Sequence, residues 1–355
     1  GQKTVKLCLQ IKLANILSDK KQYSKLLTVA QQALTLPQGK DNIKYFVFAL
    51  SYRSVAFAVL NQHEKALLDL QRIESIIKEN PTFTEHVTLL AILADAHFYL
   101  GNYQTALTMN LKILKLRFDL NKLNNINQTY YRLANTYYHL NQFNDAYNAY
   151  WEAKEYAEKK SAKIYVAYAK QGLGLTLIKQ KLYFEAKKEI LAAKNLFYHH
   201  NLTTPYLETM ISLVFVNNIL NPKDNTLSLL LEAEKILIST NLTGEYIALY
   251  QLLAKTYADK KEIEKAYFWQ HKYSQALLTE QRKLKANQRF ATQNKNTVNE
   301  QETLTNSEKS RQLSIKLAEK SELAISFATK YQHQQTLIFI LSFVVISLFI
   351  LMIFL

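Results

Sequence analysis

The chain places His199 and His200 side by side after Tyr198, a pairing that invites a metal-site reading. Adjacent residues on a helix point about 100° apart, which makes a poor chelate for one ion. Cys8 is the single cysteine, so internal disulfides and cysteine-based zinc sites are excluded. His97 and His139 have no acidic residue and nucleophile at a shared helical spacing, so each reads as a packed or solvated imidazole. The stretch GLG at 172–174 lacks the spacing of a phosphate-cradling loop and falls inside a helical pattern. Paired carboxylates for acid–base work are absent from the repeating positions. The chain reads as non-catalytic, with no cofactor and no metal.

The elements that carry these residues are more informative. Six Gly and four Pro in 355 residues are too few for a sheet-rich fold and suit long helices joined by short turns. Three stretches share their punctuation: LNQHEKA at 60–66, LGNYQTA at 100–106 and LNQFNDA at 140–146. Stepping by 40 from Ala66, Ala106 and Ala146 reaches Ala186, Thr226 and Ala266, with Leu26 before them. Thirteen residues earlier stand Leu13, Leu93, Leu133, Leu173, Leu213 and Leu253, broken only by Arg53. The next column is small: Ala14, Ser54, Ala94, Ala134, Gly174, Val214 and Ala254. An aromatic or His precedes the marker at Tyr23, His63, Tyr103, Phe143 and Tyr183.

Two antiparallel helices per 40-residue repeat account for these columns. Small residues in mid-helix let two backbones approach, and the neighbouring Leu fills the space beside the contact. One hairpin cannot bury its apolar face alone, so stacked neighbours must share a core. Pro81 and Pro205 are expected where one hairpin reverses into the next, and Pro222 in a turn inside the sixth repeat.

The set Tyr130, Leu133, Ala134, Tyr137, Phe143, Ala146, Tyr150 and Ala153 resembles the tetratricopeptide repeat. The likeness covers residues 7–286, with a longer period than the family's usual one. It implies an all-α solenoid of seven hairpins over 1–286, whose first helices line a concave groove for a peptide or protein partner. By position the groove residues are Asp95, Phe98, Tyr99, Tyr131, Arg132, Asn135, Tyr138, His139, Tyr168, Leu175 and Phe215. Rings supply contact area there, and Asn or Arg fix a backbone. The Lys and Asn columns that clamp a terminal carboxylate in chaperone-binding members are not reproduced.

The formal charge of +15 is spread along the chain rather than gathered on one helix, which argues against nucleic acid as a partner. Residues 287–335 read as a polar helical stalk, a weak coiled coil through which a homodimer could form. The run TLIFILSFVVISLFILMIFL at 336–355 is long enough, as a helix, to cross about 30 Å of bilayer core. Residue 1 is Gly and the last residue lies in an apolar run, so both ends look cut. Array, Trp269 and Tyr273 exit, stalk and span resemble the sensory half of bacterial membrane-bound diguanylate cyclases or histidine kinases. That resemblance implies a single-pass membrane protein with a periplasmic array and an output domain after residue 355. The alternative is a tail-anchored cytosolic scaffold that docks partners at a membrane.

Overall fold

A computed structural model of the chain describes residues 2–35, 43–221, 226–239 and 246–295. They form seven consecutive helical hairpins and no strand among the described residues. The hairpins are α1 (Gln2–Asp19) with α2 (Tyr23–Leu34), α3 (Ile43–Val59) with α4 (His63–Glu79), and α5 (Val87–Tyr99) with α6 (Tyr103–Asp119). Next come α7 (Ile126–His139) with α8 (Phe143–Lys159), and α9 (Lys163–Lys179) with α10 (Tyr183–His199). The last are α11 (Thr203–Leu220) with α12 (Leu227–Ser239), and α13 (Ile247–Asp259) with α14 (Ile263–Lys295). A 3₁₀ turn, Pro81–Glu85, joins the second hairpin to the third, with Pro81 at its start, where the missing N–H costs nothing. Pro205 lies in the first turn of α11 rather than in the connection before it, for the same reason.

The turns repeat as strictly as the cores. Lys21, Asn61, Gly101, Asn141, Lys181 and Lys261 all have positive φ and end the first helix of a hairpin. Asn121, Ser161 and Asn201 end second helices in the same way. Each closes a Schellman motif, in which the two N–H groups after the helix return to its last orphan carbonyls. At Asn141, for example, its N–H reaches Tyr138 O at 3.0 Å and the Gln142 N–H reaches Tyr137 O at 2.9 Å. The left-handed stop therefore recurs about every 20 residues through the centre of the chain, and it fixes where each helix ends.

Packing follows the columns. Ala66, Ala106, Ala146 and Ala186 are all 0 % exposed, and so are Ala14, Ser54 and Ala134 at the paired position on the first helices. Leu133 and Leu253 beside them are equally buried. Arg53, the exception in the Leu column, makes a two-pronged ion pair with Asp69 of α4: Nε to Oδ2 at 2.8 Å and Nη2 to Oδ1 at 2.6 Å. A fork of this kind satisfies the guanidinium where a neighbouring repeat uses an apolar side chain. At the N-terminal end, Leu9 and Ile16 are 60 and 49 % exposed, whereas Ala49 and Ala56, their counterparts one repeat on, are fully buried.

The expectation of a single-pass membrane protein is corrected here. Among the described residues no helix is long and apolar enough to cross a membrane. The helices α3, α5 and α11 are rich in apolar side chains, but they have 17, 13 and 18 residues and bury those side chains against other helices of the array. The run 336–355 lies outside the described residues, as does the proposed stalk beyond Lys295. Helix α14 itself continues through the 286/287 boundary to Lys295.

Candidate functional site

The first helices of the third, fourth and fifth hairpins turn one face inward, and the first hairpin meets it. Between them lies a cavity of about 170 Å³. Asp95, Phe98 and Tyr99 of α5, Tyr131, Arg132 and Asn135 of α7, and Tyr168 of α9 all line it. The opposite wall is Ser18, Asp19, Lys21 and Tyr23, at the turn of the first hairpin. Gln128 and Thr136 of α7, Tyr165 of α9, Val55 of α3 and Asn110 of α6 complete the lining.

Two contacts join the walls. The Tyr23 and Tyr99 hydroxyls are 2.9 Å apart, with their rings edge to face at 5.9 Å. The Lys21 ammonium stands 4.8 Å from the centre of the Tyr168 ring, on the ring's electron-rich face. Burial lowers the Lys21 pKa, and the field of Glu208 opposes that shift.

Arg132 is the fixed charge of the interior. Its Nε donates to Asp95 Oδ1 at 2.8 Å, from the helix next in the array. Burial works against the guanidinium, yet Asp95, with Asp19 adding to it, holds the Arg132 pKa above its ordinary value. Burial raises the Asp19 carboxyl pKa; the nearby Arg132 pulls it back and Asp95 pushes it further up. Two carboxylates and two cations thus face one space, balanced in sign.

Tyrosine hydroxyls supply the remaining polarity. Tyr150 donates to Asn135 Oδ1 at 2.5 Å, so the Asn135 carboxamide is held by the second helix of its own hairpin. Gln128 Nε2 donates to the Tyr165 hydroxyl at 2.5 Å. Tyr131 lies edge-on to Tyr150 at 5.9 Å and tilted against Tyr168 at 6.0 Å. Burial pushes the Tyr131 phenol well above its usual range, so it stays protonated and can donate.

The other positions expected in the groove lie elsewhere. His139 is stacked on Tyr103 at 4.8 Å and edge-on to Phe98 at 5.1 Å, which makes it a link between adjacent hairpins. Tyr138 packs edge-on against Phe143 at 5.7 Å across its own turn. Phe215 is 47 % exposed and does not line the cavity, and neither does Leu175. His97, beside Phe98, has a buried Nδ1 without a partner, and burial lowers its pKa to about 4. Among the described residues no group of three or more His, Cys, Asp or Glu is placed to hold a metal ion.

Residues of the first hairpin and Asn110 escape a reading based on first helices alone. Lys21 belongs to a turn, and Tyr23 and Asn110 to second helices. Asn110 did carry a signal: it is an amide at a position where Leu70, Ile190 and Leu230 stand in other repeats.

No protein-family model matches the chain, and neither does any curated protein sequence. Solved structures do. The apo form of RapI superposes with a TM-score of 0.54 at 16 % identity, over 79 % of this chain and 99 % of that one. A signal transduction ATPase with numerous domains and a tetratricopeptide repeat sensor, from Pyrococcus horikoshii, gives 0.54 at 19 % identity, over 76 % of this chain and 43 % of that one. Aspartyl phosphate phosphatase F from Bacillus subtilis gives 0.51 at 11 % identity, over 76 and 93 %.

The fold is a tetratricopeptide-type helical solenoid.

At these identities the likeness is one of fold. The tetratricopeptide-type pattern explains why the small columns and the left-handed stops recur. It leaves the interior side chains free to differ between repeats, and the cavity is where they do.

Proposed function

We propose that the chain is a binding module for a peptide or an extended segment of a protein partner, and that the interior cavity receives part of it. The observation that carries this reading is the lining itself. Four hairpins contribute tyrosine rings, an aligned Arg132–Asp95 pair and an oriented Asn135 to one partly open space. Rings give area at low entropic cost, and fixed polar groups set the direction of a bound main chain. Structural neighbours that include a repeat sensor and Rap-type proteins support a regulatory setting for such binding.

The test is retention of peptides from a mixed synthetic hexapeptide pool with free termini, with bound species read by mass spectrometry. The wild-type protein enriches a defined subset. Tyr131→Ala loses that subset by tenfold or more, while Phe215→Ala, outside the cavity, keeps it. A wild-type protein that enriches no peptide, or a Tyr131→Ala protein that enriches the same ones, overturns the reading.

A further inference from the structure

Asn110 breaks the packing rule of its own column. The equivalent buried residues in the other repeats are Ala30, Leu70, Tyr150, Ile190 and Leu230, and Gln270, the other amide of the series, is exposed. Asn110 is only 2 % exposed and lines the cavity. Its amide nitrogen approaches Thr136 Oγ1 at 3.5 Å, while its Oδ1 is buried without a hydrogen-bond partner. The Thr136 hydroxyl spends its proton on Arg132 O at 2.8 Å, so it can accept from Asn110 but not donate to it. In the orientation observed, the amide oxygen is left without a donor.

A buried acceptor without a donor destabilises a fold, and leucine fills this same position elsewhere in the chain. We infer that Asn110 is a ligand-recognition residue of the cavity: its Oδ1 accepts a hydrogen bond from a main-chain N–H of the bound peptide. The inference rests on the peptide-binding reading above and adds to it the residue that selects for a main-chain donor. The first helices present Arg132 and Asn135 already engaged, by Asp95 and Tyr150 respectively, and Asn110 adds a buried neutral acceptor still in want of a proton.

The experiment compares wild type, Asn110→Leu and Asn110→Ala in two measurements. In thermal unfolding without ligand, Asn110→Leu raises Tm by roughly 2–4 °C, since it removes an unpaired polar group and restores the column. In retention of the hexapeptide pool, both variants lose the peptides that wild type enriches by at least tenfold. A pool N-methylated on its main chain is not enriched by wild type either. Asn110→Ala, which adds no bulk, keeps the binding arm readable if the leucine does not fit. A fall in Tm for both variants, or unchanged enrichment of the ordinary pool, overturns the inference and leaves the peptide reading standing. Equal enrichment of the methylated pool also overturns it. A wild-type protein that enriches neither pool removes both the inference and the reading beneath it.

Discussion

The Tyr150 ring of α8 lies against the backbone of Gly172 in α9, so closely that a Cβ on Gly172 would overlap it. Through its hydroxyl the same ring orients Asn135 on α7. One missing methyl group therefore positions a cavity side chain two helices away. Gly172→Ala forces the ring aside in a packed core, and it is expected to destabilise the fold by about 2–3 kcal/mol. Chemical denaturation measures this. Tyr150→Phe, which keeps the ring and loses the hydrogen bond, costs about 1 kcal/mol. Equal stability of Gly172→Ala and wild type would show that the ring moves freely.

The Asp95–Arg132 pair is half-buried, with both side chains about one-quarter exposed. Asp95→Asn leaves a guanidinium facing the cavity with only Asp19 to balance it. Its expected cost is about 1–3 kcal/mol. Adding Arg132→Met to Asp95→Asn should recover much of that loss, because the unpaired charge goes with it. A double-mutant cycle whose coupling energy is zero would sink this account.

His97 has its folded-state pKa lowered by burial from the usual 6.5 to about 4. Between those values the unfolded chain binds a proton that the folded chain excludes, so stability falls as pH drops from 6.5 towards 4 and is fully present above 6.5. The contribution at stake is on the order of 3 kcal/mol. In His97→Gln this part of the acid sensitivity disappears, which urea titrations at pH 7 and pH 4.5 would reveal. An unchanged pH slope counts against it.

The left-handed stops give opposite predictions at two turns. Gly101 has φ +81°, with open space where a Cβ would stand, so Gly101→Ala suffers only conformational strain of about 1 kcal/mol. Lys181, at φ 63°, already carries that strain, and Lys181→Gly should stabilise by roughly 0.5–1 kcal/mol. Thermal melts of the two variants should move in opposite directions.

The solenoid was legible in the sequence because a period of 40 without insertions needs only columns to be seen. Ala106 and Leu133 report local packing, and local packing is what a column records. The stops were half legible. Asn61, Gly101 and Asn141 are usual left-handed residues, whereas Lys21, Lys181 and Lys261 are not, and only their place in the period points to them. The cavity was legible on one side. Asp95, Arg132 and Tyr168 lie on first helices, where a groove was sought. Lys21 and Tyr23 come to it because successive hairpins rotate far enough to bring the first back over the fifth, an angle no single column encodes. His139 lies at the end of its helix, outside the cavity lining, where its ring stacks on Tyr103 of the neighbouring hairpin.

The Lys21–Tyr168 contact joins the first hairpin to the fifth, 147 residues away in sequence, with three hairpins between. Its length is the running total of every rotation in between. A change too small to detect at any one interface adds to the next and is greatest at this last gap. The ammonium over the ring thus works as the pointer of a vernier scale, and a quencher–fluorophore pair set there would read how tightly the whole array is wound.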